Sequence, residues 1–270
     1  LPRARLLIDF LKRGSTHRYG PHRSQVGDLH VPAGPGPHPL AVTIHGGSWQ
    51  ARYGRVVMRG LAADLVRRGF AVWNVEYRRV GDGGGWAATF DDAAAAIDHA
   101  RHLDAALDLD DVTLIGHSAG GHLALWAAGR TLLPAGAPGA DPALMPQRVV
   151  AQAPVADLAG AYERWRGGAV RALMGGSPTE LPDAYALADP MGLIPTTLPI
   201  LIVHGVGDET VSVELSRHYA GRAGEQGADV ELVEFQPPAG AHRAHIDPRG
   251  PEWKPVAGWL AGDARGPVGG

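Results

Sequence analysis

Gly116-His117-Ser118-Ala119-Gly120 sets one hydroxyl between two glycines, directly after the apolar run Val112-Thr113-Leu114-Ile115. The helix-prone stretch Gly121-His122-Leu123-Ala124-Leu125-Trp126-Ala127-Ala128 follows at once, so the segment reads as strand, sharp turn, helix. A serine on such a turn projects from the end of a sheet, and the glycines keep neighbouring backbones clear of side chains. The chemistry this permits is nucleophilic attack by the Ser118 hydroxyl. A helix beginning just after it brings backbone N–H groups to where negative charge develops on a substrate oxygen.

A serine hydroxyl attacks weakly until a base takes its proton, so partners are required. They stand at the ends of three further apolar runs. Leu40-Ala41-Val42-Thr43-Ile44 ends in His45-Gly46-Gly47-Ser48-Trp49, whose small side chains let the backbone approach a ligand. Pro199-Ile200-Leu201-Ile202-Val203-His204 leads into Gly205-Val206-Gly207-Asp208-Glu209-Thr210, a turn-rich loop with an acid at its tip. Val230 to Phe235 alternates as a strand does, and the loop behind it carries His242 and His245. His242, after Gly240-Ala241, is the expected base and His245 its rival. Asp208 is expected to orient the imidazole, while Glu209 reads as a solvated loop acid. The oxyanion donors are expected to be the backbone N–H groups of Gly47, Ser48 and Ala119. Trp49, Tyr162 and Trp165 are candidate walls of a substrate pocket. The His-x-x-His spacing would suit two metal ligands, but no third ligand stands nearby, so no metal is expected.

The chain order Ser, Asp, His and these four strand-end motifs resemble the α/β-hydrolase superfamily. Within it the chain is similar to the bacterial esterase and lipase-like branch, which includes hormone-sensitive-lipase-type carboxylesterases and kynurenine-formamidase-like enzymes. His45-Gly46-Gly47-Ser48-Trp49, Gly116 to Gly121, His204 to Asp208 and Gly240-Ala241-His242 with Ile246-Asp247-Pro248 carry the resemblance. Ser48 stands where hormone-sensitive-lipase-type enzymes usually carry a third glycine, and Trp49 is closer to the formamidase-like pattern. The resemblance favours His242 as base. It implies a serine hydrolase that cleaves small-to-medium carboxylic esters through an acyl-enzyme, without cofactor or metal. Aryl formamidase or amidase chemistry, or peptide cleavage as in prolyl-oligopeptidase-like enzymes, would use the same residues. The peptidase reading lacks a selecting domain. A non-enzymatic hydrolase-fold protein usually lacks a triad member, and here all three are available.

The remaining elements must position these residues. Val26–Val31 and Phe70–Tyr77 read as strands, as does Arg148–Gln152. Val56–Arg68 reads as an amphipathic helix, Thr89–Leu107 as a long Ala-rich one, and Pro251–Leu260 as a final one. Residues 1–25 read as a helix followed by a surface loop. Strands alternating with helices imply an α/β fold, a mostly parallel sheet covered on both faces. Residues 1–270 read as one such domain, with 156–196 as a short cap insertion containing two helical patches, Leu158–Trp165 and Ala169–Met174. A cap this short suits a short acyl chain.

Composition narrows the partners. Across 270 residues the net charge is −3 with no basic stripe, which argues against nucleic acid. No apolar run approaches the roughly 18 residues of a membrane span, so no membrane partner is expected. The absence of cysteine excludes disulfides and thiol catalysis. The expected partner is a small-molecule ester or amide. The expected location is cytoplasmic, unless a secretion signal preceded residue 1.

Overall fold

The computed structural model describes residues 14–262 apart from Thr196 and Ala239. Its strands are β1 Ser15–Arg18, β2 Val26–His30, β3 His38–Ile44, β4 Ala71–Val75, β5 Leu107–His117, β6 Arg148–Gln152, β7 Ile200–Gly205 and β8 Val230–Phe235. They form one sheet in the order β1-β2-β4-β3-β5-β6-β7-β8. From β4 to β8 every pairing is parallel, while β1 and β2 add an antiparallel edge. Strand β5 lies between β3 and β6, so its end opens at the middle of the sheet's C-terminal edge. That edge is where ligands bind in open parallel sheets.

The helices are α1 Arg59–Arg67, α2 Ala88–His99, α3 Ala119–Ala128, α4 Leu158–Arg164, α5 Gly168–Met174, α6 Pro182–Ala188, α7 Val213–Glu225 and α8 Trp253–Ala261. Alternate strand residues feed two cores. Leu40, Val42, Trp73 and Leu114 meet Phe90, Ile97, Leu123 and Trp126 from α2 and α3. Ala41, Val72, Ile115 and Val150 meet Leu61 and Leu65 from α1 and Trp253 and Val256 from α8. Burial on both faces is why these strands read as unbroken apolar runs. Each fully buried large side chain contributes about 1.5–3 kcal/mol, so the sheet is a stiff base for the loops at its edge.

Several expected boundaries shift. The Ala-rich helix stops at His99 rather than continuing to Leu107. The His38 N–H donates to the Ala106 carbonyl (2.9 Å) and Leu107 pairs with His38, so strand pairing overrides helix propensity there. The expected helix over Val56–Arg68 begins with a 3₁₀ turn at Arg55–Met58 and becomes α-helical only at Arg59. Residues 15–18, expected to be helix or loop, form β1 against β2, and residues 1–13 of that segment lie outside the described residues. Between β6 and β7 a third helix, α6, opens on Pro182 in its first turn.

Candidate active site

Strand β5 is buried from Val112 to His117, and its chain then turns sharply into α3. Ser118 takes φ 54° and ψ −119° at that turn, outside the ordinary L-residue regions. Such a conformation costs on the order of 1–3 kcal/mol and is held by its surroundings. Here the Ser118 N–H donates to the Gln152 carbonyl (2.8 Å) at the end of β6, and the Ser118 carbonyl accepts from the His122 N–H (3.0 Å). The two glycines are required by contact. A Cβ on Gly116 would strike the Gly120 carbonyl, and one on Gly120 would strike the Ile44 carbonyl of β3. Ala119 heads the buried helix α3, where first-turn N–H groups have no helical partner of their own.

The loop after β3 runs beside this turn. Gly47, Ser48 and Trp49 take φ values of 118°, 53° and 54°, three successive left-handed residues. Their shape is pinned from behind. The Gln50 N–H donates to the Gly47 carbonyl (3.0 Å), the Val80 N–H to the Trp49 carbonyl (2.8 Å), and the Tyr77 hydroxyl to the His45 carbonyl (2.9 Å). His45 stacks on Tyr77 at 4.4 Å and its Nε2 lies 2.6 Å from Glu76 Oε1. Burial pushes Glu76 up, but His45, Arg79 and the Arg55 N–H outweigh it and hold the carboxyl below its usual range. Arg55 in turn forks onto Asp28 of β2, at 2.9 and 3.0 Å. A chain of polar and charged side chains thus links β2 to the loop.

Asp208 and His242 arrive from β7 and β8. The Asp208 side chain is fully buried, not displayed at a loop tip. Its Oδ1 accepts from the N–H groups of Thr210 (2.8 Å) and Val211 (3.0 Å), and its Oδ2 lies 2.7 Å from His242 Nδ1. Burial pushes this carboxyl up, but hydrogen bonds from His204, His242 and the Val211 N–H prevail and hold it well below the usual carboxylate range. An ionised carboxylate there fixes the Nδ1–H tautomer and turns Nε2 outward. His117, next to Ser118 in the chain, is pushed down to about 3 by burial and by the adjacent His242, so it is neutral at pH 7. Its Nε2–H donates to the His242 carbonyl (2.9 Å). His245 is wholly buried, with neither ring nitrogen partnered among the described residues, and it lines neither of the two cavities at Ser118.

Two cavities meet at Ser48, Ser118 and Thr210. One, of about 180 Å³, is lined further by Tyr53, Val57, His117, His242, Arg243 and Ile246. The other, of about 230 Å³, is closed by Trp49, Val155, Trp165, Ala169 and Val211. Ser118 and His242 therefore face one space, with no hydrogen bond between their side chains among the described residues. Trp49 and Trp165 lie in the second wall. Tyr162, expected as a pocket wall, lines neither of these two cavities. Its ring meets Tyr185 edge-on at 6.4 Å and its hydroxyl accepts from Arg171 (3.1 Å), which draws it toward solvent. Tyr53, Val57, Thr210 and Arg243 carry no motif and are brought in by the loops. Among the described residues no cluster of three or more His, Cys, Asp or Glu side chains is arranged to hold a metal ion. No helix among them is long and apolar enough to cross a membrane.

Solved structures share this architecture. A truncated carbohydrate esterase from gut microbiota superposes with a TM-score of 0.78 at 21% identity, covering 92% of this chain and 96% of its own. The propionate-bound esterase Est2 of Thermogutta terrifontis gives 0.67 at 26% identity, covering 85% of each chain. An acetyl ester-xyloside bifunctional hydrolase from Caldicellulosiruptor lactoaceticus gives 0.70 at 23% identity, covering 92% of this chain and 93% of its own. No curated protein is detectably similar to the sequence. The BD-FAE family model matches residues 28–222, a span that runs from within β2 through most of α7 and holds the serine turn, its glycine-rich neighbour and Asp208. The fold is that of the α/β-hydrolases, and the chain belongs to the BD-FAE family, an α/β-hydrolase-type esterase family.

Proposed function

We propose that this chain hydrolyses carboxylic esters of small acyl groups through an acyl-enzyme on Ser118. The observation that carries the reading is the His242–Asp208 pair at 2.7 Å, opening onto the cavity that also holds the strained Ser118 turn. In this mechanism His242 Nε2 takes the Ser118 proton as Oγ bonds to the ester carbonyl carbon. The oxygen that becomes negative is received by the N–H groups of Gly47, Ser48 and Ala119, one such donor typically being worth ~100- to 1000-fold in rate. The tetrahedral species collapses, the acyl–oxygen bond breaks, and His242 gives its proton to the leaving oxygen. Water, deprotonated by the same imidazole, then releases the acid and restores Ser118.

Acyl size follows from the second cavity. At about 230 Å³ and closed by two tryptophans, it accommodates a short chain. Trp165, immediately after α4, and Ala169 of α5, both between β6 and β7, form part of that wall, and the two helices serve as its roof. The roof belongs to the same domain as the sheet.

Ser118→Ala tests this reading. The variant should lose more than ~1000-fold of kcat on p-nitrophenyl acetate with nearly unchanged thermal unfolding, since a triad serine contributes at least that much. Intact-mass spectra of the wild type, quenched early, should carry one acetyl group that the variant lacks. Full activity in the variant would remove Ser118 from the chemistry.

A further inference from the structure

The two cavities are not equivalent, and the difference assigns the parts of the substrate. In the mechanism above, on which this step rests, His242 must reach the leaving oxygen to return a proton to it. The leaving group therefore occupies the cavity that His242 lines, and the acyl group occupies the one His242 does not line. The acyl cavity has no charged residue in its wall. The leaving-group cavity has no acidic residue in its wall and one arginine, Arg243, immediately after the imidazole.

Arg243 differs from the arginines around it. Arg249 forks onto Asp247, Arg55 onto Asp28, and Arg79 pairs with Glu76. The Arg243 guanidinium is exposed and has no ion pair or hydrogen bond among the described residues. Arg52, outside the lining itself, lies over the Tyr53 ring at 5.0 Å and is likewise without an acidic partner among the described residues. Beside them the surface is apolar. Tyr53 and the neighbouring Val56 are 37% and 58% exposed, and Val57 and Ile246 line the cavity below. A cationic fork above an apolar, partly aromatic wall fits a flat hydrocarbon group that bears a negative charge.

We infer that this cleft selects esters whose leaving group is aromatic and carries an anionic substituent such as a carboxylate, with Arg243 as the specificity-determining residue. The substituent takes no part in bond making. The acyl–oxygen bond breaks, the phenolic oxygen receives the His242 proton, and the carboxylate leaves as it came. Its contact with the guanidinium is a charge-assisted hydrogen bond at a wet rim, so the discrimination it gives is modest.

The matched probes are the acetyl esters of 4-hydroxybenzoate and 4-hydroxybenzamide, equal in shape and different in charge. The measured quantity is the ratio of kcat/KM for the anionic ester to that for the neutral one, compared between proteins so that intrinsic reactivity cancels. Arg243→Gln should lower this ratio about 3- to 10-fold, the range of a partly exposed ion pair. Arg243→Lys should recover part of the loss. Arg101→Gln removes one exposed charge between α2 and β5, at the other end of the strands, and should leave the ratio where it is. A ratio unmoved by Arg243→Gln, or moved equally by Arg101→Gln, overturns this inference and leaves the esterase reading standing. A wild type inactive on both probes and on p-nitrophenyl acetate overturns both.

Discussion

The serine turn and the histidine loop do the same job by opposite means. The turn between β5 and α3 is announced by its own sequence and wedged between β3 and β6. Its strand is buried, its helix is buried, and its glycines are fixed by contacts a Cβ would forbid. The loop after β8 hangs from a half-buried edge strand and is held by distant partners. The His117 ring donates to the His242 carbonyl, the Glu252 carboxylate receives the Gly240 N–H (2.7 Å), and the Gln152 amide donates to the His245 carbonyl (2.6 Å). Local sequence packed against neighbouring strand backbones sets the nucleophile, and side-chain contacts from distant elements set the base. Substitutions of the turn's glycines should therefore threaten the fold, while substitutions around the loop should threaten activity first.

The largest effect expected on the loop side is from His242 itself. His242→Ala should match the loss of Ser118→Ala, beyond ~1000-fold in kcat, and the double variant should be hardly worse than either, because the residues act as one unit. His245→Ala should cost far less activity, since that ring faces neither cavity. Steady-state kinetics of the four proteins checks both statements. An inactive His245→Ala that still melts like the wild type would reverse the roles of the two histidines.

A smaller effect isolates the long-range support. His117→Phe keeps a ring of similar size and deletes the N–H that holds the His242 carbonyl at 2.9 Å. One neutral hydrogen bond is worth about 0.5–1.5 kcal/mol, so kcat should fall up to about 10-fold with KM little changed. If kcat stays at the wild-type level, the loop is anchored elsewhere and the contrast drawn above weakens.

The effect most remote from the chemistry is on stability against pH. Burial pushes His117 down to about 3 and both His122 and His245 to about 4. Unfolded, each titrates near 6.5, so between that pH and about 4 the unfolded chain binds more protons. Stability is therefore complete above pH 6.5 and falls as the solution is acidified. At pH 5 each buried histidine costs roughly 2 kcal/mol relative to pH 7. Urea unfolding at the two pH values measures the sum, and His245→Leu should remove one share of the difference. An unchanged difference in that variant would mean the His245 ring is not held neutral by the fold.

The same contrast explains what can be read from sequence. The strands β3, β5 and β7 are legible because buried parallel strands leave continuous apolar runs, β8 because a half-buried edge alternates, and the serine turn because sterics dictate its glycines. Ser15–Arg18 is not legible as a strand, being a polar edge with no buried face to impose alternation. The end of α2 is missed because Leu103 to Ala106 favour helix locally and are pulled away by pairing with β3. Among site residues, Trp49 and Trp165 sit at a cavity wall, whereas Tyr162 obeys a contact with Arg171 that no spacing announces. Tyr53 and Arg243 are ordinary loop residues in the sequence, and only the meeting of two loops gives them a common cleft.

The buried charges behind the glycine-rich loop carry a consequence for anyone who trims or fuses this chain. Asp28 lies on β2 next to the sheet's border strand, in a position where tags and truncations are usually tolerated. Yet Asp28 grips Arg55, the Arg55 N–H meets Glu76 (3.0 Å), and Glu76 holds His45 at the root of Gly46-Gly47-Ser48. A cut that frees β2 would leave Arg55 and Glu76 to rearrange in a space that water could then enter. The border of the sheet is part of the mould in which the reacting oxygen is cast, and boundaries for expression are best drawn well ahead of residue 26.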